Sequence, residues 1–231
     1  MYRTTPEIDT NITRVLILAN YELVRRSLNV LIESNKTLEV AGLRTLDDDL
    51  QSPAALSKAH VAVVYLSAGE RIEVIIELLK TDPELRIVAL VSRDDLESQV
   101  QAVRLGAVGV VHKEHSTKML IEAIRQTRSG ETWLNQTLLN KILVKGKKPA
   151  ASNGVSEPKY QKLTPRELDV VRMIGEGLKN KEIADRLDIT DATVRHHLSS
   201  IYGKVGVDDR LNLIIRAYEH GLIQVQSVDQ H

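Results

Sequence analysis

From Thr13 to about Arg128, short β-rich apolar runs alternate with amphipathic helical segments, and no other feature of the sequence limits its fold as tightly. The runs are RVLILA, LEVAGL, VAVVYL, RIVALV and GVVH. Between them, apolar residues recur at helical spacing over Glu22–Ser34, about Asp48–Ser57, Ile72–Lys80, Leu96–Arg104 and Thr117–Arg128. DDLE, from Asp94 to Glu97, reads as a capping box that starts the fourth of these helices. Parallel strands need helical crossovers, and strands apolar on both faces need cover on both. Five βα repeats therefore predict a flavodoxin-like α/β domain with a five-stranded parallel sheet over residues 13–130.

The pattern then changes. ETWLNQTLLNKILVKG spaces Leu134, Leu138 and Ile142 four residues apart, which predicts one more helix. GKKPAASNGVSEPK has no apolar period and collects Pro, Gly, Ser, Asn and Ala, so residues 131–158 read as a connector helix and linker. Lys145, Lys147 and Lys148 are expected to be solvated rather than bound to phosphate. From Leu163 onward the periodicity is all helical, which makes residues 159–225 a second, all-α domain of four helices. Thr164, Pro165 and Glu167 mark a helix start as cap, first-turn ring and reciprocal carboxylate. Asn180 reads as the cap of the next helix, and Gly206 and Gly221 as helix ends.

Composition removes whole classes of function. With 231 residues the chain has room for two ordinary domains, and 42% hydrophobic with 27% charged residues is the balance of a folded globular protein. No apolar run approaches the length of a membrane span, and MYRTTPEIDTNITR lacks the layout of a signal peptide, so a cytoplasmic protein without membrane contact is expected. The absence of cysteine removes disulfides, thiolate metal sites and thiol redox sensing. There is no Gly-rich phosphate loop, no cluster of metal ligands and no nucleophile placed beside a base in a motif, so neither an enzyme nor a cofactor is expected. The 31 basic side chains balance 31 acidic ones, so a nucleic-acid partner would have to be met by a local patch.

TVRHHLSSIYGKV, Thr193 to Val205, supplies one. Val194, Leu198, Ile201 and Val205 share one stripe of a helix and are expected in the core, while Arg195, His196 and Ser199 project elsewhere. His197 lies near the apolar stripe and reads as structural or phosphate-bonding rather than base-reading. A helix from Asn180, the turn DIT and this helix together have the dimensions of a helix-turn-helix, whose second helix enters the major groove of double-stranded DNA. LTPREL, GEGLKNKEIADRL, ATVRHHLSSIYGKVGV and RAYEHGLI also occur in the order and spacing of the LuxR/FixJ/NarL-type DNA-binding domain, which Leu163 to Ile223 resembles throughout. That resemblance implies that Arg195, His196 and Ser199 face base edges, and that Thr190, Thr193, Asn180, Lys181 and Lys204 meet phosphates. Gly203 stands where such domains commonly carry a basic residue, and charges nearly balance from Lys159 to Leu222, so a homodimer is expected to supply the affinity one reader lacks. Leu211, Ile214 and Ile215 of the fourth helix are equally suited to a dimer contact or to the core.

Beside such a domain, the βα repeats resemble the receiver of a response regulator. The family phosphorylates an aspartate at the end of the third strand and holds Mg²⁺ with two acidic residues after the first. Strand order puts Tyr65 at the acceptor position and Ala19 and Asn20 at the acidic pair. Val91 replaces the switch hydroxyl, Val110 the switch aromatic, and Lys113 alone is retained. A phenol cannot form an acyl phosphate, and Ala19 offers Mg²⁺ no oxygen from its side chain. The sequence thus reads as a transcription regulator whose receiver-like domain works without aspartate phosphorylation, as a dimeriser or as the site of a small-molecule or protein effector. The alternative is a protein-interaction adaptor with vestigial DNA binding.

Overall fold

The computed structural model describes residues 12–52, 56–145 and 163–223. The chain forms two compact units that divide between Ser129 and Gly130.

In the first unit, β1 (Thr13–Leu18), β2 (Leu38–Arg44), β3 (Val61–Tyr65), β4 (Arg86–Val91) and β5 (Gly109–His112) form one parallel sheet in the order β2-β1-β3-β4-β5. Helices α1 (Glu22–Glu33), α2 (Val74–Thr81), α3 (Leu96–Arg104) and α4 (Thr117–Arg128) supply the crossovers and the cover. The apolar runs are the strands because both faces are sealed: Val15 to Leu18 and Val61 to Val64 expose no surface. The order reverses beside β1, so the first loop of the chain and the loop after β3 meet at the carboxyl ends of the strands, where doubly wound sheets place their sites.

Two expectations for this unit need correction. No helix forms among the described residues of the Asp48–Ser57 segment. Asp48 instead accepts from the Thr45 amide at 3.2 Å and the Thr45 hydroxyl at 2.5 Å, and Asp49 from the Gln51 amide at 3.0 Å. These local side-chain acceptors compete with helical carbonyls, and Ser57 and Lys58 take φ values of 52° and 53°, which no helix allows. Leu46, Leu50 and Leu56 still reach the core, so the apolar spacing served burial without a helix. The cap of α3 is Asp95, which accepts from the Ser98 amide at 3.0 Å, one residue later than DDLE suggested.

In the second unit, α5 (Gln136–Lys145) precedes α6 (Pro165–Gly175), α7 (Asn180–Leu187), α8 (Asp191–Val205) and α9 (Arg210–Glu219). The GKKPAASNGVSEPK linker, with Lys147 and Lys148, and the side chain of Lys145 lie outside the described residues. Thr164 and Glu167 form the expected capping box of α6. The cap of α7 is Lys179 rather than Asn180, because the Asn180 side chain is buried and turned to accept from Arg210. Asp188, with φ 53° and ψ 49°, turns the chain out of α7, and Thr190 caps α8. Gly206, at φ 76°, ends α8 in a conformation that would strain any side chain. Val170, Val171, Ile174, Ile183, Val194, Leu198, Ile201, Leu213 and Ile214 share one core, which Leu143 of α5 joins. Each fully buried Val, Leu or Ile contributes roughly 1.5–3 kcal/mol. Gly175 lets Ile223 close against α6, since an added Cβ would collide with the Ile223 side chain.

Candidate functional site

Helix α8 presents two faces. Val194, Leu198, Ile201 and Val205 are buried, and Arg195, His196 and Ser199 are exposed on the opposite side. His197 is half-buried between them. The Thr190 hydroxyl accepts from the Thr193 amide at 3.1 Å and lies 2.8 Å from the Thr193 hydroxyl. Cap and dipole thus leave the start of α8 attractive to anions. Arg195 is laid along the helix by Asp191, one turn back, at 2.5 Å. Both side chains are substantially exposed, so the pair orients the guanidinium but adds only a few tenths of a kcal/mol.

The residues expected at phosphates separate into two groups. Thr190, Thr193 and Lys181 lie at the starts of α8 and α7, with Thr190 and Lys181 exposed. Lys204, whose side chain is 32% exposed, and the buried Asn180 side chain are each paired within the protein. The Lys204 ammonium donates to both oxygens of Glu167 at 2.7 Å, and Ser200 donates to the same carboxylate at 2.7 Å. Burial alone would raise the Glu167 pKa, but hydrogen bonds from Lys204, the Thr164 amide and Ser200 outweigh it and hold the carboxyl down at about 2. Lys204 therefore ties α8 to α6. Asn180 is only 1% exposed, and its Oδ1 accepts from Arg210 at 2.9 Å while its backbone N–H donates to Glu131 Oε1 at 3.0 Å. Gly203 is exposed, with open space around an added Cβ. In α9, Leu211 and Ile214 are buried and Ile215 packs against the core.

At the carboxyl ends of β1 and β3, Tyr65 sits where strand order placed it. The Tyr21 ring meets it edge-on, 6.3 Å between centroids at 86°. The Lys113 ammonium lies 4.2 Å above the Tyr65 ring and donates to the Ser67 hydroxyl at 3.3 Å. The half-buried Lys113 ammonium is thus held against Tyr65 in a cation–π contact. Ala19 is fully buried, and the Asn20 side chain accepts from the Leu46 amide at 2.9 Å. Val91 is buried and contributes a backbone carbonyl to the Lys113 amide at 2.8 Å, while Ser92 points its hydroxyl toward Glu114 at 3.4 Å.

No pattern in the sequence marks Arg25 as part of this site. From the first turn of α1 its Nη1 donates to the carbonyls of both Ala19 and Asn20, the latter at 2.9 Å. A fixed cation therefore covers the carbonyls of the two positions that would flank a receiver's divalent ion. Mg²⁺ requires several hard, largely anionic oxygens, and this donor set does not fit it. The first carboxylate after β3, Glu70, is bound to the Ser67 amide. Among the described residues, no group of three or more His, Cys, Asp or Glu could hold a metal ion, and no helix is long and apolar enough to cross a membrane.

Residues 161–217 match the luxR family of bacterial regulatory proteins, a class of regulators rather than enzymes. The response regulator VraR of Staphylococcus aureus is 28% identical over 218 residues, covering 91% of this chain and 99% of VraR. Among solved structures, the response regulator ChrA of a heme-sensing two-component system covers 92% of this chain and 100% of its own at 24% identity and a TM-score of 0.47. RcsB of Salmonella typhimurium covers 88% of this chain and 97% of its own at 22% identity and a TM-score of 0.46. Residues 161–217 thus match the luxR family of bacterial regulatory proteins, on a chain similar along nearly its whole length to a response regulator.

Proposed function

We propose that this protein is a sequence-specific, DNA-binding transcription regulator that works as a homodimer and without aspartate phosphorylation. The observation that carries the reading is the two-faced α8: its apolar stripe is locked in the core while Arg195, His196 and Ser199 stand exposed behind a capped helix start. Arg195 has the reach and fork geometry to pair with guanine O6 and N7, and His196 and Ser199 are suited to neighbouring base edges. Thr190, Thr193, Asn180, Lys181 and Lys204 are the residues assigned to phosphates, which position the reader without specifying sequence; of these, Lys204 and the Asn180 side chain are also paired within the protein. RcsB, a structural neighbour, has been solved bound to DNA and as dimers on DNA, in keeping with this role.

The strand-end site supports the second half of the reading. Tyr65 offers no carboxylate to phosphorylate, Ala19 and Asn20 offer no acidic pair, and Arg25 stands over their carbonyls. The receiver-like unit then serves as the dimerising element and as the place where an effector acts. Selection from a random duplex pool with unmodified full-length protein tests the proposal. Enrichment of a two-fold symmetric site with half-sites about one helical turn apart is expected, and failure to enrich any sequence contradicts it.

A further inference from the structure

The start of α7 is already in contact with an acidic group. Glu131, in the segment just before α5, directs Oε1 to the Asn180 amide at 3.0 Å. Two residues on, the Trp133 ring lies 5.6 Å from the Lys179 ammonium. Beneath them the buried Arg210 guanidinium holds Asn180 Oδ1 and the Leu178 carbonyl, which fixes the backbone on which the Asn180 amide sits. The described structure gives Arg210 no carboxylate within ion-pair distance, and Glu131 is one of the negative groups whose field reaches it. An orphan helix amide, a lysine and a buried guanidinium make this corner of the unit favourable to one anion, and Glu131 is that anion.

A helix-turn-helix lays the first of its two helices across the DNA backbone, and a helix start with free N–H groups is where a phosphodiester oxygen binds. Resting on the DNA-binding reading above, we infer that Glu131 is an internal mimic of a DNA phosphate: it occupies the Asn180 amide, and it must leave before DNA backbone can be gripped there. One amide cannot serve both acceptors, and a carboxylate left beside an incoming phosphate repels it. Docking of the segment from Glu131 to Trp133 and binding of DNA therefore oppose each other, and the coupling is reciprocal. Glu131 is joined directly to the end of the receiver-like unit at Ser129 and Gly130, so a rearrangement that pulls on this segment frees the reader without any phosphoryl group.

The test uses full-length protein, the selected duplex, an unrelated duplex and a salt titration. Glu131→Gln removes the charge and keeps the shape. It is expected to bind both duplexes about fivefold tighter or more at low salt, with the salt slope steeper by about one phosphate contact. Trp133 is the sole tryptophan, so its emission reports undocking in the wild-type protein and should shift on adding saturating duplex. Unchanged affinity and slope in Glu131→Gln, or Trp133 emission indifferent to DNA, overturns the inference. Arg195→Ala distinguishes failure of the phosphate mimic from failure of DNA reading. If wild type prefers the selected duplex and Arg195→Ala abolishes that preference, a null result with Glu131→Gln rejects the phosphate mimic alone. If wild type prefers no duplex, the DNA-binding reading fails and the mimic fails with it.

Discussion

In the sheet of the first unit and in α8 of the second, the apolar framework is complete, yet the polar residues around it have fared differently. Val15 to Leu18 and Val61 to Val64 are as sealed as a working receiver would need, while the strand ends carry Tyr65, Ala19, Asn20 and a covering Arg25. Helix α8 buries its stripe just as thoroughly and leaves Arg195, His196 and Ser199 on the outside. Fold and site are thus separable: burial is set by which positions are apolar, whereas the chemistry of a site is set by the particular polar residues at the strand ends. On the reading proposed above, the first unit serves as a dimeriser or effector site without phosphoryl chemistry while the second reads DNA.

The largest effect expected from a single change falls on the buried hub of the second unit. Glu167→Ala removes the acceptor shared by Lys204, Ser200 and the Thr164 amide, and should destabilise that unit by about 3 kcal/mol in urea unfolding. The same group sets a pH dependence. Its carboxyl is held at about 2 in the folded state against an ordinary 4.5, so its contribution is full above pH 4.5 and disappears as pH falls from there toward 2. Unfolding across that window should show a loss in wild type that Glu167→Gln lacks. Next is Arg195→Ala, which leaves the core intact and should cost about 2 kcal/mol, roughly thirtyfold, on the selected duplex and little on an unrelated one. Gly203→Lys is smaller and of opposite sign. It fills open space on an exposed helix face, so stability should rise by up to about 1 kcal/mol and the salt slope of DNA binding should steepen by about one contact.

The smallest expected effect is none at all. Tyr65→Asp restores a carboxylate to the strand end but leaves Ala19, Asn20 and Arg25 as they are. Intact mass spectrometry after incubation with Mg²⁺ and a small phosphodonor should detect no phosphate on this variant. Uptake by Tyr65→Asp would show that the acidic pair is dispensable here, and the contrast between the two units would narrow to one residue.

Much of this was legible in the sequence because apolar periodicity reports burial. RIVALV and GVVH are strands over those same residues, and α3 and α4 have the bounds their spacing predicts. The segment from Asp48 misled for a physical reason: its leucines are spaced for burial, while Asp48 and Asp49 satisfy local amides that a helix would have used differently. The face carrying Arg195, His196 and Ser199 could be read from one helix, since a stripe implies its opposite. Pairings across distance could not. Lys204 reads as an exposed cation until α6 brings Glu167 to it, and Asn180 reads as a cap until Arg210 claims its side chain. Arg25 escaped notice because its partners are backbone carbonyls, which every sequence carries alike.

The claim that joins these observations is that the reader works while the strand-end site stays unmodified. The most direct measurement pairs the intact mass of the full-length protein with its affinity for the selected duplex, before and after treatment with Mg²⁺ and a small phosphodonor. Unchanged mass and equally tight binding in both samples is the expected result. Stoichiometric phosphate on the protein, or specific binding that arises only after treatment, would contradict it.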